Sequence, residues 1–112
     1  MEVFFATQKL QKECNDSKKC QRSHGTRRAR LIRLRLDELQ AVEDLAEMRD
    51  LPHARCHELR GNLAGLLSVD LDHPYRLLFR PADNPPPIRH DGGLAWEKVT
   101  AVLILRVEDT HA

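Results

Sequence analysis

The first half of the chain shows helical spacing of apolar residues after a short extended start. Met1–Ala6 contains three adjacent apolar residues without helical spacing, which predicts a strand. The polar pattern of Thr7–Arg22 predicts a first helix, and Gly25 follows it as the residue type that most readily ends a helix. We expect Thr26 to be the N-cap of a second helix that runs to about Leu39.

The second helix is predicted to have one apolar side. Ile32, Leu36 and Leu39 share a stripe at helical spacing, and the arginines Arg28 and Arg35 are expected to lie off it. Four apolar residues then predict either a continuation of this helix or a short separate one: Val42, Leu45, Ala46 and Met48. A Leu-Pro pair ends the helical region in both cases, because the residue before a proline avoids helical backbone angles.

The second half of the chain has the alternation of a sheet. Strands are predicted over Arg55–Arg60, Leu66–Leu71 and Tyr75–Arg80, with turn-forming residues between them. Residues 81–98 contain four of the six prolines, which predicts an irregular excursion. Val99–Val107 is apolar on both faces, as is typical of a central strand that is buried on two sides.

Length and composition favour one α+β domain. A chain of 112 residues has room for one hydrophobic core, so we expect a single domain over residues 1–112, with helices first and a curved sheet after them. Hydrophobic residues at 41% and charged residues at 31% are typical of a soluble globular protein. There is no apolar run of membrane-spanning length and no export signal, and three cysteines are too few for a disulfide framework. We therefore expect a cytoplasmic protein with reduced thiols.

The net charge of +1 hides an uneven distribution. Residues 1–35 carry ten basic and three acidic groups, whereas residues 36–50 carry one basic and six acidic groups. Such a separation favours a polyanionic partner on one face of the protein.

The sequence gives little support to metal or phosphate-loop chemistry. Its cysteines and histidines lack the spacing of zinc ligands, and its glycines fit turns better than a phosphate-binding loop. Ser68 lies inside a predicted strand, without the turn motif that exposes a nucleophilic serine. We therefore predict no metal ion and no cofactor.

Histidines and arginines on the predicted sheet are the remaining candidates. Asp109 and His111 are two residues apart, so an extended chain places them on one side, where a carboxylate can orient an imidazole for proton transfer. His57 lies in the first strand of the sheet half. Guanidinium groups suited to phosphate come from Arg60, Arg76 and Arg80. The alternative is purely structural: a solvated histidine near the C-terminus, and arginines paired with acidic neighbours.

The order and spacing of several short motifs in the chain resemble those of the HigB-type plasmid-maintenance killer toxins of the RelE/ParE superfamily. The resemblance covers residues 26–112 well and the first 25 loosely. Its main motifs are Cys56-His57-Glu58-Leu59-Arg60-Gly61, His73-Pro74-Tyr75-Arg76-Leu77, Trp96-Glu97-Lys98-Val99-Thr100 and Val107-Glu108-Asp109-Thr110-His111. It implies a RelE-like fold in which two N-terminal helices pack on a mostly antiparallel sheet.

The resemblance also implies a function. Proteins of this family are toxins of type II toxin–antitoxin systems, metal-independent endoribonucleases that cleave mRNA on the translating ribosome. They are neutralised by a helix-turn-helix, HigA-like antitoxin. The toxin contacts operator DNA only through this antitoxin, and no membrane is involved. By position, the catalytic residues would be His57, Arg76, Asp109 and His111, and the residues that bind RNA or phosphate would be Arg55, Arg60 and Arg80.

One departure from the family pattern concerns Thr110, which stands where the family commonly has a tyrosine. A tyrosine can stack on an RNA base, which is worth roughly 1–3 kcal/mol. With Thr110, stacking has to come from another group, Tyr75 or Trp96 being the large candidates, or cleavage is weaker.

Two alternatives stay open at this point. The chain could be a non-enzymatic toxin of the same fold that inhibits DNA gyrase, in which case the histidines would be dispensable. It could also be a catalytically weakened module that only binds its antitoxin. Loss of mRNA cuts on replacing His111 would argue against both.

Overall fold

The computed structural model describes residues 1–110, which form four α-helices and five β-strands. The helices are α1 Gln8–Asn15, α2 Ser17–His24, α3 Thr26–Ala41 and α4 Leu45–Arg49. The strands are β1 Glu2–Phe5, β2 His57–Glu58, β3 Leu67–Asp70, β4 Tyr75–Pro81 and β5 Ala101–Asp109. Short 3₁₀ turns lie at Gly61–Leu63 and Trp96–Lys98. The predicted α+β class is confirmed.

The strands form one sheet in the order β1-β5-β4-β3-β2. Strand β1 pairs with β5 in parallel, and every other neighbouring pair is antiparallel. This agrees with the mostly antiparallel sheet that the resemblance implies. It places the N-terminal strand at one edge and the short strand that carries His57 at the other.

The core lies on the side of the sheet that faces α3. Ile32, Leu36 and Leu39, predicted as one stripe, are all buried and share a cluster with Phe79 and Ile104 of the sheet. Burial of each such side chain stabilises the fold by about 1.5–3 kcal/mol.

Two helix boundaries differ from the prediction. The first helix is broken at Asp16, whose carboxylate accepts hydrogen bonds from the backbone N–H groups of Lys18 and Lys19 and so caps α2. These hydrogen bonds lower the pKa of Asp16, the one from Lys19 most strongly. Gly25, with φ +81°, is the residue before α3, and Thr26 is already inside that helix.

The strand predictions need two corrections. Only His57–Glu58 of the predicted strand Arg55–Arg60 pairs with β3. Strand β5 does lie between two neighbours, but only Val102 and Ile104 are buried, whereas Leu103 and Val107 are half-buried. Its pairing with β4 shifts between Leu78 and Phe79, which leaves one extra residue in β5.

Arg28 connects α3 to the turn before β4. Its Nε and Nη2 atoms donate hydrogen bonds to the two carboxylate oxygens of Asp72 at 2.9 and 3.1 Å. Its guanidinium carbon lies 3.4 Å from the centre of the Tyr75 ring. The hydrogen bond from Arg28 is the main cause that lowers the pKa of Asp72. This two-point contact stabilises the carboxylate form of Asp72 in the folded state.

We expect Asp72→Asn to lower the free energy of unfolding at neutral pH by about 1 kcal/mol, because it removes a charged hydrogen-bond partner. A carboxyl whose pKa is lower in the folded state contributes stability above its unfolded pKa, and that contribution disappears as the pH falls through the folded pKa. The difference between wild type and variant should therefore shrink below about pH 4. Urea unfolding from pH 7 to pH 2 measures it; a constant difference across that range contradicts the assignment.

Candidate active site

The side of the sheet away from α3 carries most of its charged residues. Side chains of directly paired residues lie on the same face, and the register pairs His57 with Ser68, Asp70 with Arg76, and Arg76 with Glu108. We call this surface the arginine face. Its polar members include His57, Asp70, Arg76, Arg80, Arg106 and Glu108.

His57 is the half-buried imidazole of the arginine face, and both of its ring nitrogens have partners. Nδ1 lies 2.7 Å from the carbonyl oxygen of Arg55, and Nε2 lies 3.2 Å from Nη1 of Arg76. A carbonyl can only accept a hydrogen bond and a guanidinium can only donate one. These partners therefore assign the neutral tautomer with the proton on Nδ1 and the lone pair on Nε2.

The carbonyl that orients His57 belongs to an unusual backbone position. Arg55 has φ +48°, the one positive value on a non-glycine residue among residues 1–110. A side chain at such an angle costs conformational energy, and the carbonyl of this strained residue contacts the imidazole. The side chain of Arg55 is mostly exposed, and its Nε lies 3.6 Å from Oδ2 of Asp70.

Asp70 anchors two of the arginines. Its Oδ1 lies 3.5 Å from Nε of Arg76 and is buried without a hydrogen bond. The ion pair with Arg76 therefore offsets the cost of burying this carboxylate oxygen. Arg76 uses Nε toward Asp70 and Nη1 toward His57. Its Nη2 makes no hydrogen bond to any residue in the described part of the chain, so it is available for a phosphate oxygen.

Arg35, on α3, holds the backbone of this site through hydrogen bonds. The prediction placed it off the apolar stripe of α3, but it is only 5% exposed. Nε donates to the backbone oxygen of Asp70 at 2.7 Å, Nη2 to that of His53 at 2.9 Å, and Nη1 to Oε1 of Glu38 at 2.9 Å. Arg35 therefore fixes the end of β3 and the loop that leads to Arg55.

The other predicted site residues are more scattered. Arg80 lies on the arginine face four residues along β4 from Arg76, roughly 13 Å away. Asp109 is paired with Tyr75, so the register places it on the opposite face from Arg76. His111 lies outside the described residues. Thr110 donates its backbone N–H and its hydroxyl to the carbonyl of Pro74, both at 3.1 Å.

A groove of about 530 Å³ runs along edge strand β2 and extends the site beyond the arginine face. His57 and Arg60 both line this groove. The lining also contains Trp96, which the prediction named as a stacking candidate, and two cationic members that the prediction missed, Arg49 and Arg89. They come from α4 and from the excursion before β5, so only the tertiary fold brings them to His57.

The thiols and the candidate serine belong to the interior. Burial raises the pKa of Cys14 and of Cys56 to about 12, and it also raises that of Cys20, so all three stay protonated. Ser68 is fully buried. In residues 1–110 no three His, Cys, Asp or Glu side chains are grouped so that they could hold a metal ion. In the same range no helix combines the length and apolarity that a bilayer crossing needs.

Comparisons with known proteins give one informative likeness. No protein-family model matches the chain, and no curated protein does. Among solved structures, a YoeB/ParE toxin from Agrobacterium tumefaciens superposes with a TM-score of 0.51 at 12% sequence identity, over 99% of this chain and 100% of that chain. At that identity the likeness concerns the fold. The chain therefore has the fold of a toxin of the YoeB/ParE kind.

Proposed function

We propose that this chain is the toxin of a type II toxin–antitoxin system and an endoribonuclease that cleaves mRNA on the translating ribosome. The observation that carries the proposal is the contact between His57 and Arg76 on the arginine face. It combines an imidazole lone pair with a guanidinium that still has a free N–H group. The toxin fold and the resemblance to the HigB type support the same conclusion.

The reaction uses a hydroxyl that the RNA itself supplies. Nε2 of His57 takes the proton of a ribose 2′-hydroxyl, and the 2′-oxygen attacks the adjacent phosphorus. The bond from phosphorus to the 5′-oxygen breaks, and an acid protonates that oxygen as it leaves. The products are a 2′,3′-cyclic phosphate and a 5′-hydroxyl. The resemblance assigns the acid to His111 with Asp109 as its partner, although the register places Asp109 on the face of the sheet opposite Arg76.

Arg76 has two successive roles in this proposal. Its Nη1 donates a hydrogen bond to Nε2 of His57 in the free protein, and this bond has to break when the 2′-hydroxyl binds. Nη1 and Nη2 then face the phosphate, whose negative charge grows in the transition state. Asp70 holds the guanidinium through Nε during this exchange. Arg55, Arg60 and Arg80 bind the RNA backbone on either side of the reacting phosphate.

The partners follow from the resemblance and from the charge distribution. We infer a HigA-like helix-turn-helix antitoxin, a ribosome carrying mRNA, and a cytoplasmic location. The groove between α1 and α2 is lined by four cationic side chains and one carboxylate: Lys9, Lys12, Lys19, Arg22 and Glu13. This surface suits an acidic segment of the antitoxin.

The chemistry of the RNA ends tests the proposal. Stalled ribosomes carrying a defined mRNA are incubated with the purified chain, and the downstream fragment is ligated to an adaptor with and without prior treatment with polynucleotide kinase. We expect ligation only after kinase treatment, because attack by the 2′-hydroxyl leaves a 5′-hydroxyl. Fragments that ligate without the kinase carry 5′-phosphates, which indicates attack by water and contradicts the mechanism.

A further inference from the structure

The groove along β2 has the features of a nucleotide-binding site in addition to its position beside His57. We propose that it holds one base of single-stranded RNA, stacked on the guanidinium group of Arg49. This inference rests on the proposed RNA substrate and names the subsite that would bind a nucleotide next to the cleaved bond.

Arg49 and Trp96 form a flat cationic surface in this groove. The guanidinium carbon of Arg49 lies 4.4 Å from the centre of the indole ring. Trp96 is only 8% exposed, so the indole offers little surface of its own, whereas Arg49 is exposed. Within residues 1–110 Arg49 forms no ion pair with a carboxylate. One side of its guanidinium therefore rests on the indole, and the other side is open to a base, a stacking partner that RNA-binding proteins commonly use.

The other aromatic side chains are poorly placed for this role. The ring of Tyr75 is covered by Arg28 at 3.4 Å, and Asp72 holds that arginine in place. Phe4 is exposed but lies on β1, at the opposite edge of the sheet and roughly 19 Å from β2. With Thr110 in the place of the usual tyrosine, Arg49 is the stacking group that the geometry offers near His57.

The charges of the groove suit a nucleotide as well. Arg60 and Arg89 also line it, against a single carboxylate in the lining, Glu58. Arg89 is partly neutralised by Asp91 at 3.2 Å, so Arg60 is the stronger candidate for a phosphate contact. A volume of about 530 Å³ is in the range of small-ligand sites.

Arg49→Lys separates stacking from charge, because lysine keeps the positive charge and loses the planar surface. The probe is a fluorescein-labelled seven-nucleotide RNA with 2′-O-methyl riboses, which cannot be cleaved, together with seven versions that each lack one base. Binding is measured by fluorescence anisotropy with the full chain. Arg33→Lys, at a partly exposed arginine of α3 that pairs with Asp37, is the matched control.

For wild type we expect one abasic position to weaken binding by about 5- to 150-fold, the usual range for one stacked base. Arg49→Lys should weaken binding of the complete RNA by a similar factor and should lose sensitivity at that one position. The control should keep the wild-type pattern. Unchanged binding by a folded Arg49→Lys, or equal weakening for all eight RNAs, overturns the proposal, and so does the absence of binding by wild type.

The cleavage assay on stalled ribosomes, run on the same preparation, keeps the two proposals distinguishable. RNA cleavage together with binding that does not depend on Arg49 contradicts the proposed base-binding site but is consistent with the proposed ribonuclease function. Base-dependent binding through Arg49 without any cleavage leaves the base site and contradicts the ribonuclease.

Discussion

His57→Ala is expected to slow mRNA cleavage on stalled ribosomes by about 10²–10⁴-fold, the usual contribution of a positioned general base. The imidazole is half-buried on a two-residue edge strand, and its ring nitrogens contact the carbonyl of Arg55 and one N–H group of Arg76. Its loss should therefore change the stability of the fold little. Single-turnover cleavage measures the rate, and thermal unfolding checks that the variant is folded.

Rescue by free imidazole distinguishes a proton-transfer role from a structural one. Imidazole can enter the space left in His57→Ala and accept the 2′-hydroxyl proton, so added imidazole should restore part of the lost rate. His53→Ala is a matched control, because His53 is exposed and the structure uses its backbone carbonyl, to which Arg35 donates. Wild-type cleavage by a folded His57→Ala contradicts the assigned role.

Arg35→Met is expected to lower the free energy of unfolding by about 2–4 kcal/mol, the largest stability effect that we predict for one substitution. Methionine keeps much of the side-chain volume but donates no hydrogen bond. The carbonyl oxygens of Asp70 and His53 and the carboxylate of Glu38 then lose their shared donor. Partly buried acceptors left without a partner carry a penalty of this size. The midpoint of urea unfolding measures it.

The same substitution at Arg33 provides the comparison for Arg35. Arg33 lies on the same helix, is 43% exposed and pairs with Asp37 on the surface, so Arg33→Met should change stability by less than about 0.5 kcal/mol. Equal effects of the two substitutions contradict a supporting role for Arg35. Cleavage should also fall in folded Arg35→Met, since Arg35 fixes the backbone that carries Arg55 and Asp70.

The sequence predicts most of the elements because their signals are local. The apolar stripe of α3 and the alternation in β3 and β4 follow directly from residue spacing. The burial of Arg35 could not be predicted from residue spacing, because the carbonyl groups that accept its hydrogen bonds come from a strand and a loop far along the chain. The break at Asp16 could have been foreseen, because aspartate is a preferred N-cap.

The candidate site was predictable in part. Resemblance pointed to His57 and Arg76, and the structure brings these two into contact. Asp70 and Arg49 were missed, because their roles depend on strand register and on the path of the excursion before β5. Register also decides which carboxylate of β5 faces Arg76. Glu108 is paired with Arg76 and shares its face, whereas Asp109 is paired with Tyr75 on the other face. Alternation along β5 separates the two carboxylates but does not say which one faces Arg76.

The most direct test of the central claim, that this chain cuts translated mRNA with His57, is to map new 5′ ends in a reporter mRNA after brief induction. Wild type, His57→Ala and His53→Ala are compared, each with a reporter that has a start codon and one that lacks it. We predict discrete new ends inside the translated region for wild type and His53→Ala, and none for His57→Ala or for the untranslated reporter. Growth arrest by wild type without new ends, or equal cutting by His57→Ala, would contradict the claim; arrest without cutting, together with inhibited supercoiling by purified gyrase, would favour the non-enzymatic alternative.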